Sequence, residues 1–155
     1  MAHDERPTLS VGVCYRDPRG ALAWLEKAFG FETTMVIENP DGSIGHSEMR
    51  VGRSGLLMVG REWDELQRSP ASLGGVNTQS IHINLDDEAD IDAHYRRALA
   101  AGATSRREPA DQFYGERVYG VGDLEGHQWT FSKQIKAVSR EEMAAAGGVT
   151  VRESL

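Results

Sequence analysis

The stretch Gln79-Ser80-Ile81-His82-Ile83-Asn84-Leu85-Asp86-Asp87 alternates strictly between Ser80 and Leu85. Side chains of a strand point to opposite faces in turn, so Ile81, Ile83 and Leu85 form an apolar face. Ser80, His82 and Asn84 form a polar one. The residues that follow open a helix, so the unit is strand, tight corner, helix. The N-terminal region repeats it: Leu9, Val11, Val13 and Tyr15 alternate with Ser10, Gly12 and Cys14. Asp17-Pro18 is a helix entry, with Asp17 as cap and Pro18 at the first helical position. Leu22, Leu25 and Phe29 follow at helical spacing, and Gly30 stops the helix.

Working outward, residues 33–38 are rich in β-branched side chains, and Asn39-Pro40-Asp41-Gly42 is a turn. From His46 to Val51 the chain alternates again, with His46, Glu48 and Arg50 opposite Ser47, Met49 and Val51. Gly52-Arg53-Ser54-Gly55 turns into the apolar strand 56–59. Residues 61–78 lose the alternation and read as a connector with one helical turn around Trp63 to Arg68. After the opening strand, a helix over about 88–101 buries Ile91, Tyr95 and Ala98, and Gly102 ends it. Extended chain over 104–108, a turn at Pro109-Ala110-Asp111, and strands over 115–121 and 127–133 complete the second half. Ser139-Arg140-Glu141-Glu142 is a capping-box pattern that starts a short C-terminal helix.

Both halves therefore read β-α-β-β-β, an internal repeat. Each first strand ends in Asp, seven positions after Ser10 and six after Ser80, and each helix stops at a glycine, Gly30 and Gly102. The expected organisation is a flexible tail (1–7), a first module (8–60), a connector (61–78), a second module (79–134) and a C-terminal extension (135–155). The fold class expected is α+β: two tandem modules forming a curved mixed sheet around a cup.

Composition bounds the function. A chain of 155 residues with 39% apolar and 26% charged residues suits a soluble globular protein. Its net charge of −7 argues against nucleic acid or an anionic membrane as partner. One cysteine, Cys14, excludes an internal disulfide and a multi-cysteine zinc site. No apolar run approaches the roughly 18 residues of a membrane span, and residues 1–7 lack a signal-peptide apolar region, so a cytoplasmic location is expected.

The apolar sets Val11, Val13, Tyr15, Ile81, Ile83, Leu85, Trp129 and Phe131 should lie under the helices. The opposite faces carry Ser10, Gly12, Cys14, His46, Glu48, Arg50, Ser80, His82, Asn84, Gln128, Thr130 and Ser132. That set is too polar for a dry core and fits a cup between halves. Trp24 reads as helix surface or a subunit contact, and Trp63, Tyr114 and Tyr119 are candidates for stacking on a flat ligand.

The paired modules, Gly30-Phe31 after the first helix, and Asp123-Leu124-Glu125-Gly126-His127-Gln128-Trp129 before the last strand resemble the glyoxalase, bleomycin-resistance and extradiol-dioxygenase (vicinal oxygen chelate) superfamily over residues 8–134. The resemblance implies a homodimer, because a second subunit often completes the cup there. It also places metal ligands at four positions, which fall here at Ser10, Leu57 (within one residue), Ser80 and Thr130. None is His, Asp, Glu or Cys, and neutral hydroxyls are weak ligands for divalent metals, so no metal or other cofactor is expected. His127, on the opposite parity from Thr130, reads as fixing the preceding turn or packing at an edge.

Two functional readings follow. One is metal-free capture of a small organic molecule, with Ser10, Cys14, His46, Glu48, Arg50, Ser80, His82, Asn84, Gln128 and Thr130 lining the cup. The other is a lyase, isomerase or dioxygenase, with a relocated metal at His46, Glu48 and His82 or with His82 and Glu48 as acid-base groups.

Overall fold

The computed structural model describes residues 6–155. Residues 1–5, most of the expected tail, lie outside the described residues. The elements run β1 (Val11–Tyr15), α1 (Pro18–Phe29), β2 (Glu32–Glu38), β3 (Ile44–Val51), β4 (Gly55–Arg61), a 3-10 turn (Pro70–Leu73), β5 (Ile81–Asn84), α2 (Ile91–Ala100), β6 (Thr104–Asp111), β7 (Glu116–Gly122), β8 (Gln128–Gln134) and α3 (Arg140–Gly147). They build two four-stranded sheets, ordered β1-β4-β3-β2 and β5-β8-β7-β6. In each sheet the first strand lies parallel to the last and the other pairs are antiparallel. The α+β paired-module fold expected from the sequence is the one observed.

Local chemistry sets the ends of the helices. Asp17 accepts a hydrogen bond from the Gly20 amide, with Pro18 behind it. Gly30 closes α1 at φ 72°, and a Cβ there would stand 2.8 Å from the Arg97 guanidinium. The helix α2 starts later than expected because Asp90 caps it by accepting from the Ala93 amide. Ser139 and Glu142 form the full capping box of α3. Two expectations are corrected. The helical turn sits at Pro70–Leu73 rather than near Trp63, because Ser69 caps it and Pro70 takes its first position. Pro109 does not turn the chain; it lies inside β6, an edge strand whose register shifts between Arg107 and Ala110. A bulged edge tolerates a residue without an N–H.

The apolar faces of both sheets converge on one core. Val13, Tyr15, Leu25, Phe29, Trp129 and Phe131 are buried in it together, with Val11, Ile81, Ile83 and Leu85 packed against it. The Phe29 ring lies 5.4 Å from Trp129 and 4.8 Å from Phe131, in the other half. Side chains of each helix also reach the carbonyls at the C-terminal end of the other, where the intrahelical bonds run out. Arg97 donates to the carbonyls of Glu26 and Lys27, and His94 donates to that of Phe29. In return the Trp24 indole donates to the Ala101 carbonyl at 2.8 Å. Trp24, expected on a helix surface or at a subunit contact, is a tie between the halves.

A second tie is made by the turn before β8. The Asp123 carboxylate is buried, and it accepts from the Tyr15 hydroxyl at 2.6 Å, the Trp129 indole at 3.0 Å and the amides of Glu125 and His127. Glu125 accepts from the amides of Arg16 and Asp17 and from the Ser69 hydroxyl. His127 donates through Nε2 to the Cys14 carbonyl at 2.7 Å and lies edge-on to Tyr15. The halves thus join through their helix-covered faces. The faces expected to enclose a cup between them instead point outward, one from each sheet.

Removing the Asp123 carboxylate leaves buried donors on Tyr15 and Trp129 without an acceptor. Asp123→Ala should cost about 3–5 kcal/mol and Tyr15→Phe about 1–2 kcal/mol in urea unfolding; equal and small effects would contradict the arrangement. His94 sets a pH dependence. Its Nε2 donates to Phe29, so Nδ1 accepts from Tyr119, and burial lowers its pKa from the ordinary 6.5. The unfolded chain then binds the proton more readily than the folded one. Its stabilisation is complete above the ordinary imidazole range and is lost as pH falls through the lowered value. His94→Gln should flatten the acid side of the stability profile, read as urea midpoints at several pH values.

Candidate functional site

The outward face of the first sheet is assembled by its register. Gly12 and Cys14 on β1 lie beside Met58 and Gly60 on β4. Glu48 on β3 pairs with Met58 on one side and Met35 on the other, and His46 pairs with Ile37. Leu57 and Val59 turn into the core, which settles the strand that was apolar on both sides.

Glu48 is only 5% exposed although it stands on an outward face. Its Oε1 accepts from His46 Nε2 at 3.1 Å and from Arg6 at 3.2 Å. The hydrogen bond from His46, with the Arg6 charge beside it, holds the carboxyl below the usual carboxylate range. A cavity of about 330 Å³ adjoins the His46 member of this pair, lined by Gly12, Cys14, His46, Met58, Gly60 and Trp63. No atom would meet a Cβ at Gly12 within 4 Å, so the glycine leaves room over β1. Trp63 is 60% exposed at the margin, and the Arg61 guanidinium lies 5.2 Å from its ring.

The second outward face carries a smaller network. His82 Nε2 lies 2.8 Å from Ser132 Oγ, and Ser132 donates to Asn84 Oδ1 at 2.8 Å. The serine proton being given to Asn84, the imidazole is the donor to Ser132. Thr130 pairs with His82 in register, and Gln128 donates to the Gly126 carbonyl. Ser10 and Ser80 stand just before β1 and β5. Arg50 is tied to Glu32, and Arg117 bridges Asp92 and Asp111.

The structure thus brings His46 to Glu48, and His82 to Asn84, on different sheets. It does not bring His82 to the His46–Glu48 pair, and among the described residues no group of three or more His, Cys, Asp and Glu is placed to hold a metal. At the four places implied by the resemblance stand Ser10, Ser80, Thr130 and, with Leu57 in the core, the outward Met58. Three hydroxyls and a thioether do not fit a divalent metal. Tyr119, named as a stacking candidate, is wholly buried in the core. Met35, Ile37 and Arg6 join these faces without having been singled out. The parity of Met35 and Ile37 is legible in residues 33–38, but their partners across β3 depend on register.

Cys14 faces the same cavity, and its thiol donates to the Gln67 carbonyl. Burial, helped by the carboxylates of Glu62 and Glu125, pushes its pKa up to about 11. Alkylation by iodoacetamide at pH 8 should be about 100-fold slower than for an ordinary thiol, since only the thiolate reacts. A rate equal to that of free cysteine would show that burial does not suppress the thiol.

Residues 9–131 match the family described as Glyoxalase/Bleomycin resistance protein/Dioxygenase superfamily. The uncharacterized protein Rv0887c of Mycobacterium tuberculosis is 31% identical over 149 residues, covering 94% of this chain and 85% of its own. The crystal structure of TioX from Micromonospora sp. ML1 is similar at 32% identity and a TM-score of 0.64, over 82% of this chain and 98% of that one. TnmS3, an antibiotic binding protein from Streptomyces sp. CB03234, shares the fold at 18% identity and a TM-score of 0.62, over 86% and 98% of the two chains. The chain belongs to the glyoxalase/bleomycin resistance protein/dioxygenase superfamily.

Proposed function

We propose that the protein captures a small organic molecule stoichiometrically, without a metal, on a cup built from its outward sheet faces. The observation that carries this reading is Glu48. A carboxylate almost wholly buried on an outward face, hydrogen-bonded to a histidine that lines an open cavity of about 330 Å³, is a preformed polar anchor on an otherwise mixed surface. Met35, Ile37, Met58 and Trp63 supply apolar area around it. His82, Asn84, Thr130 and Gln128 supply hydrogen bonds on the other face. A single chain directs these faces apart, so the cup is completed in a homodimer, where the first sheet of one protomer meets the second sheet of its partner. The antibiotic-binding activity named for TnmS3 supports the same class of ligand.

A second reading rests on the hydrogen-bonded His46–Glu48 pair. Together with His82 it would serve an isomerase, lyase or dioxygenase, either through a relocated metal or by acid-base catalysis.

A thermal-shift screen of antibiotics and small metabolites tests the first reading. A ligand at about 100 times its Kd should raise Tm by roughly 5–10 °C, with Glu48→Gln and His82→Ala each weakening it. Analytical ultracentrifugation should give a dimer at micromolar concentration; a monomer throughout would sink the shared cup. Stoichiometric metal in protein purified without chelator, lost on His82→Ala, would replace capture by the relocated-metal reading. Turnover of a bound compound would favour catalysis.

A further inference from the structure

The internal repeat displays one place in the fold twice, with a hydrogen-bonded side-chain ring in one copy and none in the other. Aligning Val11 with Ile81 carries Leu57 onto Trp129, because each pair faces across its own parallel ladder. The turn Val51–Gly55 then corresponds to Asp123–His127. Contacts agree with that alignment: Glu125 reaches the backbone just after β1, and its counterpart Arg53 reaches Asp86 just after β5. In the second turn Asp123 and His127 close against Tyr15. Their counterparts are Val51 and Gly55, and that of Tyr15 is Leu85, so an imidazole, a phenol and a carboxylate are missing together. A groove of about 420 Å³ opens at that place, floored by Val11, Leu57, Ile81, Ile83 and Trp129.

The first half has no room to supply the ring itself. A Cβ at Gly55 would stand 2.7 Å from the Val51 carbonyl oxygen. The acceptor that a ring would need is nevertheless present. His127 donates to the Cys14 carbonyl, and the counterpart of Cys14 is Asn84. Leu85 donates to the Ser132 carbonyl, so by alternation the backbone groups of His82 and Asn84 point to the free edge of β5, beside the groove. The charges on the rim are already paired, Arg53 with Asp86 at 3.1 Å and with Glu88 at 3.7 Å.

We propose that this groove binds a neutral N–H heteroaromatic ring, of the azole or indole class, in the place that the His127 imidazole occupies in the other half. The ring lies on the apolar floor, and its N–H donates to the Asn84 carbonyl. This groove lies apart from His46 and Glu48 on the first sheet but shares the rim residues His82 and Asn84 with the second outward face; it uses the main-chain carbonyl of Asn84, whereas that face offers the Asn84 side chain.

The test is an amide-resolved NMR titration of the full chain at pH 8, where imidazole is largely neutral. The probes are imidazole and indole, with their N-methyl derivatives as controls. Saturable shifts at Gly55, Ile83 and Asn84 are expected, with N-methylation weakening binding about 5–10-fold through loss of one hydrogen bond. Ile83→Trp, which fills the groove, should abolish those shifts; Val11→Phe serves if that variant does not fold. Three results would overturn the assignment. One is the absence of saturable shifts up to about 10 mM of either ring; another is shifts that survive in the filled variants. The third is groove signals that move with protein concentration alone, which would make the occupant a second copy of the chain.

Discussion

Asp123 is a carboxylate taken out of water with four uncharged donors around it: two amides, a phenol and an indole. A buried carboxylate is tolerated only when its lone pairs are occupied. Here the donors come from both halves, so the folded halves are correct only in one relative position. Glu125 and His127 act from the same turn, on the backbone of β1 and its exit. The reciprocal capping of α1 and α2 adds a second set of directional bonds some distance from the first. Apolar burial drives the halves together without fixing their orientation, since it has no preferred direction. The polar ties fix it.

That position decides where chemistry can occur. Once the helix faces are spent on the shared core, each sheet has only its other face to offer. Those faces hold residues a core would exclude: Glu48 with His46 on one, His82 with Ser132 and Asn84 on the other. A paired-module chain with its helices outward would place the same residues in one concavity. Here the residues of each face act with whatever is brought against them.

Most of the fold was legible because its signals are local. Alternation over Ser80–Leu85 gave the strand and its faces, Asp17-Pro18 gave the helix entry, and Ser139 with Glu142 gave the last helix. The errors were those of competing local signals. Pro109 looked like a turn until an edge position made its missing N–H harmless, and residues 56–59 carried no alternation to say which way Leu57 pointed. The site was harder to read. His46 and Glu48 announced themselves by spacing, but the second partner of the Glu48 carboxylate is Arg6, 42 residues away. Asp123-Leu124-Glu125-Gly126-His127 reads as a turn in sequence. Its work as a clasp became visible only with Tyr15 beside it.

The separation of those partners has a consequence for the newly made chain. Tyr15 and Asp123 are 108 residues apart, and Trp24 and Ala101 are 77 apart. At a synthesis rate of about 5–20 residues per second, Tyr15 is made roughly 5–20 s before its acceptor. During that interval the first half can pair its strands and form α1, but the last carbonyls of α1 and the ring of Phe29 have nothing to close on. The first module therefore passes through synthesis as a half-built body with an apolar face open to water, and it is the last third of the chain that seals it.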